Sequence, residues 1–458
     1  MRTLLVLTGG VLLGLAIALV VQSFAISTPL ERVAVARDVP APASPEFLDL
    51  VARHTRARFD AGNRVEILLD GAGTFPRLWE ELRLARRSID LQLYYCHPGA
   101  LADSLGDLLA GRARDGVRVR FLYDGFGCGG LGDAYHDRLR DAGVHAFRFR
   151  PVRWWSLHKA QERSHARIVV IDGATGYTGG FGVDDRWSAA GVDGAPGWRE
   201  TNVRFTGPAV AQLHAAFADA WAETTGELLL GPSPADTAGD TTEVGAAVSV
   251  AEADGGDGAA RHAADAAIPV AAAIPVAAAG LMHAVPDRGS TTAERLLALS
   301  IAAARSSLYV ANAYFVPDDD FRALLVDAAG RGVDVRILTP DDGTDVPLVR
   351  YAARSHYADL LEAGIRIWEY GPTMMHAKTF VVDGVWSSIG SMNFDNRSLA
   401  VNDETTLLVS DAVLGARMDS VFLGDLRLAT ELRPESFSRR GRWERVRERF
   451  AVLLSRLL

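Results

Sequence analysis

The chain has 458 residues, and with 48% hydrophobic residues it is long and apolar enough for two sizeable cores. Its formal net charge of -9 at pH 7 argues against a nucleic-acid partner, because proteins hold phosphate backbones with clusters of lysine and arginine. The two cysteines, Cys96 and Cys128, match neither a zinc-site spacing nor a disulfide framework, so we expect buried or free thiols.

An uncharged apolar segment opens the chain. Residues 4–27 read LLVLTGGVLLGLAIALVVQSFAIS, and at about 1.5 Å per residue a helix of this length reaches across roughly 30 Å of bilayer core. We therefore predict a transmembrane anchor over residues 1–27. A removed signal peptide is the alternative, because SFA at 23–25 resembles a small-x-small cleavage site.

Two later stretches match each other. SHARIVVIDGATGYTGGFGVDD (164–185) aligns with the histidine-bearing part of MMHAKTFVVDGVWSSIGSMNFDN (374–396), and the segments before each stretch also pair in order. Both halves alternate helical patterns with short strand patterns, which predicts a layered α/β fold built from two similar domains. The predicted domains cover residues 46–230 and 281–438.

A low-complexity segment separates the halves. Residues 231–280 are rich in alanine, glycine and aspartate, which predicts a linker. After the second domain, residues 439–458 are predicted to form a basic amphipathic helix. Such a helix lies on anionic lipid or packs on the second domain. Its apolar positions at helical spacing are Trp443, Val446, Phe450, Leu453 and Leu457.

The second histidine stretch presents a cation beside an imidazole. His376 and Lys378 are two residues apart in a predicted strand, so both side chains point to the same face. The chain has only two lysines, Lys159 and Lys378, and otherwise uses arginine. An ammonium is a compact point charge, so a lysine kept at this position indicates a site built around a phosphate oxygen.

The spacing of these residues resembles a known signature. His376, Lys378 and Asp383 are followed by GSMN at 390–393, which is similar to the pattern of the phospholipase D superfamily. Wider segments, from NAYFVPDDD to NRSLAVNDE, resemble bacterial cardiolipin synthases. The resemblance extends from about residue 64 to the C-terminus with one interruption. It implies two phospholipase D-like α/β/α sandwich domains packed about a pseudo-two-fold axis.

Two histidines suit the chemistry that this resemblance implies. Cleaving a phosphodiester requires a nucleophile on one side of phosphorus and a proton donor for the leaving alkoxide on the other. By resemblance, His165 is expected to be the nucleophile and His376 the acid and base. The intact motif surrounds His376, so the reverse assignment stays open. Lys378, Arg167 and Asn393 are expected to stabilise the phosphoryl charge.

Other residues of the two motifs are expected to support the histidines. Each imidazole needs a carboxylate on its second nitrogen, and Glu200 (WRETNVRF) and Glu404 (VNDETTLLV) are the candidates. Asp172 and Asp383 each precede a glycine at a strand end, which favours a structural turn role.

The first motif departs from the family pattern at two positions. Arg167 stands where lysine is expected, and Gly182 stands where asparagine is expected. Arginine keeps the charge, whereas loss of one oxyanion donor costs on the order of 100-fold in rate. A lipid-binding relative with weak or no catalysis is therefore one alternative. Gly180 and its counterpart Ser391 are expected to contact the substrate.

The resemblance implies a membrane-bound phosphatidyltransferase of the bacterial inner membrane. It would join two phosphatidylglycerols of an anionic membrane into cardiolipin and release glycerol. A phosphodiesterase that uses water as the acceptor is the alternative, and the acidic charge and the apolar N-terminus argue against a nuclease. Two histidines suffice for this chemistry, so we predict no metal and no cofactor.

Overall fold

The computed structural model describes residues 33–35, 38–151, 163–229, 273–285 and 291–455, together with Gly10 and Gly14. The predicted anchor, 1–27, therefore lies outside the described residues apart from these two glycines, and so does most of the predicted linker. None of the helices within the described ranges is both long and apolar enough to cross a membrane.

The first half alternates strands and helices and then continues as an antiparallel run. Its strands are β1 (Asn63–Leu69), β2 (Ser88–Leu93), β3 (Arg118–Asp124), β4 (His145–Phe149), β5 (Ile168–Ile171), β6 (Thr175–Thr178) and β7 (Thr201–Thr206). Its helices are α2 (Asp70–Leu84), α3 (Ala100–Arg114), α4 (Gly132–Asp141) and α5 (Ala209–Thr225), with α1 (Pro45–Thr55) ahead of them.

The second half repeats this order with extra elements. Its strands follow a short β8 (Ile274–Val276) and are β9 (Ala278–Ala284), β10 (Ser307–Asn312), β11 (Asp334–Pro340), β12 (Arg366–Tyr370), β13 (Lys378–Val382), β14 (Trp386–Gly390), β15 (Glu404–Ser410) and β16 (Ala429–Leu432). Its helices are α6 (Thr292–Ala303), α7 (Asp319–Gly330), α8 (Pro347–Ser355), α9 (Tyr357–Glu362), α10 (Asn396–Ala400), α11 (Ala412–Leu426), α12 (Pro434–Ser438) and α13 (Arg442–Ser455).

Each half forms an eight-stranded mixed sheet. The orders are β4-β3-β2-β5-β6-β7-β1-β8 and β16-β12-β11-β10-β13-β14-β15-β9. Without β8 and β16, the two orders are the same if β1 corresponds to β9 and β2–β7 correspond in turn to β10–β15. The strands β2, β3 and β4 are parallel neighbours, as are β10, β11 and β12. The repeat predicted from sequence is thus present as a repeated α/β topology.

The two sheets share an inner core. Ile168 and Val203 from the first sheet and Val381 and Leu407 from the second belong to one buried cluster, together with apolar residues of α5 and α11. All residues of β5 and β13 are buried. The strand β5 is accordingly the continuous apolar run IVVI, and β13 continues as FVV after Lys378 and Thr379. Packing between the halves therefore fixes the strands that follow the two histidines.

Two predicted boundaries differ from the observed packing. The helix α1 falls in the range predicted for the first domain, but Phe47 packs edge-on against Trp386 at 5.2 Å between ring centroids and belongs to the core of the second half. The predicted linker, 231–280, includes β8 and the start of β9, which add edge strands to the first and second sheets. Apolar burial and edge pairing both cross the predicted limits.

The expectation of buried or free thiols is confirmed for burial, but the thiols are not free. Cys96 and Cys128 are fully buried and joined in a disulfide, with their Cα atoms 4.3 Å apart. They follow β2 and β3, and the carboxyl ends of parallel neighbours lie side by side. The Cys96 amide donates to the carbonyl of Gly127 at 3.3 Å, which fixes this proximity. The separation in sequence could not reveal it.

A buried arginine ties the two halves together. Arg199 precedes Glu200 in the first half and donates two hydrogen bonds of 2.8 Å to the carboxylate of Asp425 on α11 of the second half. It also donates to Asp70 at 3.1 Å. Its side chain is 6% exposed, so removing it would leave the Asp425 carboxylate buried without its main counter-charge.

We expect Arg199→Met to lower the free energy of unfolding by about 3–5 kcal/mol, because it breaks a buried ion pair on one side only. Urea unfolding of the purified protein measures the loss. Arg58→Met is the matched control, since the Arg58–Asp60 pair is largely exposed and should contribute less than about 1 kcal/mol. Equal stability of the two variants would contradict the bridging role of Arg199.

Candidate active site

Main-chain bridges bring each histidine to the opposite half. Ser164, just before His165, pairs with Asp403, just before Glu404. Reciprocally, Met375, just before His376, pairs with Arg199. The His376 amide donates to the Arg199 carbonyl at 2.7 Å. These exchanged bridges are what two repeats packed about a pseudo-two-fold axis produce.

The imidazoles consequently exchange carboxylates between halves. His165 Nδ1 lies 3.0 and 3.1 Å from the two carboxylate oxygens of Glu404. His376 Nδ1 lies 2.6 Å from Glu200 Oε2. Both glutamates are fully buried, and each begins or immediately precedes an antiparallel strand of its own sheet. Because a carboxylate engages Nδ1 of each ring, Nε2 is the nitrogen left for chemistry.

Two cations lie beside the imidazoles, and their contacts are partly the same. Lys378 Nζ is 2.9 Å from both ring nitrogens of His376 and donates to the His376 carbonyl at 2.5 Å. The Arg167 guanidinium donates to the carbonyls of His165 and Phe181. Lysine and arginine at these equivalent positions thus share a hydrogen bond to the carbonyl of the histidine two residues earlier. They differ in that Lys378 lies against its imidazole, whereas Arg167 reaches the Phe181 carbonyl.

Burial favours the neutral form of both imidazoles. It lowers the pKa of His165 and of His376 well below the usual range, because a buried ring is not solvated as a cation. Arg167 and Lys378 lower both pKa values further by repulsion. His165 itself lowers the pKa of His376. Both rings thus experience the same pair of cations, which identifies one shared site.

The charged partners respond to the same burial. It raises the pKa of Glu200 to about 7 and that of Glu404 to about 8. It lowers the pKa of Lys378 to about 7, although the Glu200 charge acts in the opposite direction. All of these groups are therefore set to exchange protons near neutral pH, where a bound anion would shift the balance.

Ser391 and Gly180 lie beside the glutamates. The Ser391 hydroxyl donates to Glu404, and it accepts a hydrogen bond of 3.0 Å from the Thr405 amide. At the equivalent Gly180, a Cβ atom would lie 2.5 Å from Glu200 Oε2. The serine supports one carboxylate, whereas the glycine makes room for the other.

Asn393 lies within the second half-site with unused hydrogen-bonding capacity. Its side chain is 3% exposed, and its Oδ1 has no hydrogen-bond partner among the described residues. It lines a small cavity together with Lys378 and Asn312. Asn312 Oδ1 accepts from the Phe394 amide at 3.0 Å and so holds the segment that carries Asn393.

Aromatic side chains form walls around the imidazoles, and the sequence reasoning did not find them. Trp187 lies edge-on to His376 at 5.1 Å between centroids, and Trp198 lies at 5.2 Å. Tyr94 lies edge-on to His165 at 5.0 Å. The sequence signal was their position: Trp198 is two residues before Glu200, and Trp187 is five residues after Gly182.

Trp187 explains why glycine stands at position 182. It belongs to a short 3-10 turn, Asp185–Trp187, and its indole atoms would lie 3.0 and 3.1 Å from a Cβ at Gly182. Trp187 Nε1 also donates to Glu200 at 3.4 Å. The space of the expected asparagine is therefore occupied by an indole that supports the orienting carboxylate, so the motif departure follows from packing.

The two motif aspartates lie at the other end of the strands from the histidines. Asp172 Oδ1 accepts from the amides of Arg87 and Ser88 at 2.7 and 2.9 Å. Asp383 Oδ1 accepts in the same way from Ser306 and Ser307 at 2.7 and 2.9 Å. These contacts hold the turn into β2 and into β10, which is a structural placement.

Within the part of the chain that the structure describes, no group of three or more histidine, cysteine, aspartate or glutamate side chains is arranged to hold a metal ion.

Two repeated α/β sheets with carboxylate-oriented histidines at their junction define a phospholipase D-like protein. A family model described as "Cardiolipin synthase, PLD-like domain" matches residues 297–426. The cardiolipin synthase of Alkalihalophilus pseudofirmus is 33% identical over 86% of this chain and 72% of its own length. That of Geobacillus kaustophilus is 35% identical over 93% and 78%. The chain belongs to the cardiolipin synthase family.

Solved structures agree on the fold. The phosphatidylserine synthase of Haemophilus influenzae matches with a TM-score of 0.64 and 14% identity, covering 89% of this chain and all of that one. A polyphosphate kinase of Porphyromonas gingivalis matches with a TM-score of 0.50 and 12% identity over 86% of this chain and 53% of that one. Since proteins with such different names share the fold, the fold alone does not identify a substrate.

We expect Lys378 to titrate near pH 7 in the substrate-free protein instead of near its ordinary value of 10.5, because burial disfavours the ammonium. Selective 13Cε labelling of lysine gives few signals, since the chain has only two lysines. The chemical shift of each signal against pH measures the two pKa values. Lys378→Arg assigns the signal by removing it. Titration of both lysines near pH 10 would contradict a buried ammonium.

We expect Gly180→Ala to lower activity on the order of 100-fold with little loss of stability. The new Cβ displaces the flexible end of Glu200, and His376 then loses its orientation. Turnover and thermal unfolding are measured on the same preparation. Gly111→Ala is the control, because nothing lies within 4 Å of a Cβ there. Full activity of Gly180→Ala would show that Glu200 does not need this space.

Proposed function

We propose that the protein is a membrane-bound phosphatidyltransferase that condenses two phosphatidylglycerols into cardiolipin and releases glycerol. The observation that carries the proposal is the exchanged pairing of His165 with Glu404 and of His376 with Glu200. Two oriented imidazoles in one buried site provide the nucleophile and the acid that two-step transfer requires. The names of the curated relatives support the phospholipid substrate.

In the first step, His165 Nε2 attacks the phosphorus of one phosphatidylglycerol. His376 donates a proton to the glycerol oxygen as the bond from phosphorus to that oxygen breaks, so free glycerol leaves and a phosphatidyl-histidine remains. The low pKa of His165 supports this role, since the nucleophile must be neutral. The reverse assignment exchanges the two histidines without changing the reaction.

In the second step, a headgroup hydroxyl of another phosphatidylglycerol attacks the phosphatidyl-histidine. His376 takes the hydroxyl proton, the bond from phosphorus to His165 breaks, and cardiolipin forms with both histidines restored. The acid of the first step thus becomes the base of the second.

The two cations make protonation of His376 depend on bound substrate. Lys378 and Arg167 lower the pKa of His376 by repulsion. A phosphodiester anion beside these two cations would offset their charge and raise the pKa of the imidazole. Lys378, Arg167 and Asn393 then stabilise the charge that develops on the phosphoryl oxygens.

The membrane location is part of the proposal. The substrate is a lipid, and the apolar residues 4–27 are long enough to anchor the chain in the bacterial inner membrane. Water as the acceptor remains the alternative reaction. It would release phosphatidic acid instead of cardiolipin, so the product distinguishes the two.

We expect the purified protein in detergent to convert phosphatidylglycerol into cardiolipin and glycerol, and we expect His165→Ala and His376→Ala each to reduce turnover by at least about 1000-fold. Labelled lipid products are separated by chromatography. A phosphatidyl label should be trapped on His165 in a quench that avoids acid; a label on His376 would reverse the roles.

The exposed His145 on β4 offers a control for histidine replacement, and His145→Ala should keep normal turnover. Phosphatidic acid as the main product would replace the transferase by a phospholipase. Full transferase activity in both active-site variants would refute the proposed site.

A further inference from the structure

The C-terminal helix α13 (Arg442–Ser455) packs on the second half by one side only. Glu448 is 2% exposed and pairs with Arg440 at 2.9 Å and with Arg354 of α8 at 3.5 Å. Ala451 is fully buried on the same side. The sequence left open whether this helix packs on the domain or lies on lipid, and the buried Glu448 and Ala451 show that one side of it packs on the domain.

The opposite side of α13 exposes large apolar side chains. Trp443, Val446 and Phe450 are 79%, 54% and 60% exposed. Their spacing of three and four residues places them on one face of the helix. Surface helices of soluble domains normally expose polar residues there, so a row of three exposed apolar residues indicates a contact surface.

Arginines border this apolar face. Arg442, Arg445 and Arg449 each precede one of the three apolar residues, so they lie along one flank of the row, and Arg447 lies on the other. All four are exposed, and within the described ranges no carboxylate forms an ion pair with any of them. Their charge is therefore available to an external anion.

The helix α13 is connected to the active site through the neighbouring helix α8. It packs along α8, which begins after the segment 341–346 at the carboxyl end of β11. In that segment, Asp345 accepts hydrogen bonds of 2.9 Å from the Tyr314 hydroxyl. The Tyr314 ring lies edge-on to His376 at 6.5 Å. One chain of contacts thus leads from α13 to the reactive imidazole.

We propose that this face of α13 docks on an anionic lipid surface. The indole, valine and phenylalanine side chains enter the boundary between headgroups and acyl chains, and the arginines bind lipid phosphates. A second copy of the chain fits less well, because a symmetric contact through this face would bring two arginine rows together. The docked helix would hold α8 and the segment that carries Asp345 near the membrane surface.

This proposal rests on the proposed function only in that a lipid substrate requires the protein to be at a membrane. Its test measures lipid contact and not turnover, so failure of either one is recognised separately. The control position is Val413, which is 65% exposed at the start of α11. The strand β15 runs from Glu404 at the site to Ser410, so Val413 lies beyond the end of the strand that is remote from the site.

The test uses the full chain with Trp443→Cys or Val413→Cys labelled by an environment-sensitive fluorophore. The native cysteines are joined in a disulfide, so the introduced thiol is the free one. The protein is placed in phosphatidylcholine vesicles with or without phosphatidylserine, each containing nitroxide-labelled lipid. We expect several-fold stronger quenching at 443 than at 413, and weaker quenching at 443 without phosphatidylserine.

A second variant tests the charge. Arg445→Glu with Arg449→Glu should shift the ratio of docked to undocked helix by at least about fivefold for each residue and reduce quenching at 443. Arg83→Glu with Arg114→Glu changes the net charge equally at exposed positions of α2 and α3 and should have no effect.

Equal quenching at 443 and 413, or quenching at 443 that is unaffected by reversal of Arg445 and Arg449, would overturn the proposal. A label at 443 that is shielded from solvent in detergent and is not quenched by nitroxide-labelled lipid would overturn it as well. That result would assign the face to a second copy or another protein.

Discussion

The exchange of carboxylates between the two halves is the interaction on which the site depends. Neither half contains a complete acid–base pair, since His165 is oriented by Glu404 and His376 by Glu200. The site therefore exists only when the halves are docked. This explains why so much of the interior is shared between the sheets and why Arg199, next to Glu200, is anchored to α11 of the other half.

Burial gives this arrangement its chemical character. Charged groups that would interact only weakly in water lie together in a low-dielectric site, where each charge shifts the pKa of its neighbours. The cations disfavour protonation of the imidazoles, and burial raises the pKa values of the two carboxyl groups toward neutral pH. An anion beside Lys378 and Arg167 would compensate their positive charges, and the phosphodiester of a substrate would supply that anion.

The sequence predicted the repeat, the α/β class and the local motifs because these depend on short-range patterns. The two histidines, Lys378 and the two glutamates could be found from strand patterns and from the resemblance to the phospholipase D signature. The exchange of partners could not, because it depends on how the halves dock. Likewise, Trp187 and Trp198 approach His376 through turns whose geometry has no periodic signature, and the partner of Cys96 was hidden by the distance to Cys128 along the chain.

The two half-sites have diverged in a way that packing makes intelligible. Ser391 supports Glu404 by a hydrogen bond, whereas Gly180 leaves room for Glu200, which receives its support from Trp187. The indole that supports Glu200 also fills the space of a side chain at position 182. The missing amide donor at position 182 and the indole that supports Glu200 therefore have one structural cause, which is the placement of Trp187. Unlike surroundings for two similar imidazoles are what a reaction with one nucleophile and one acid requires.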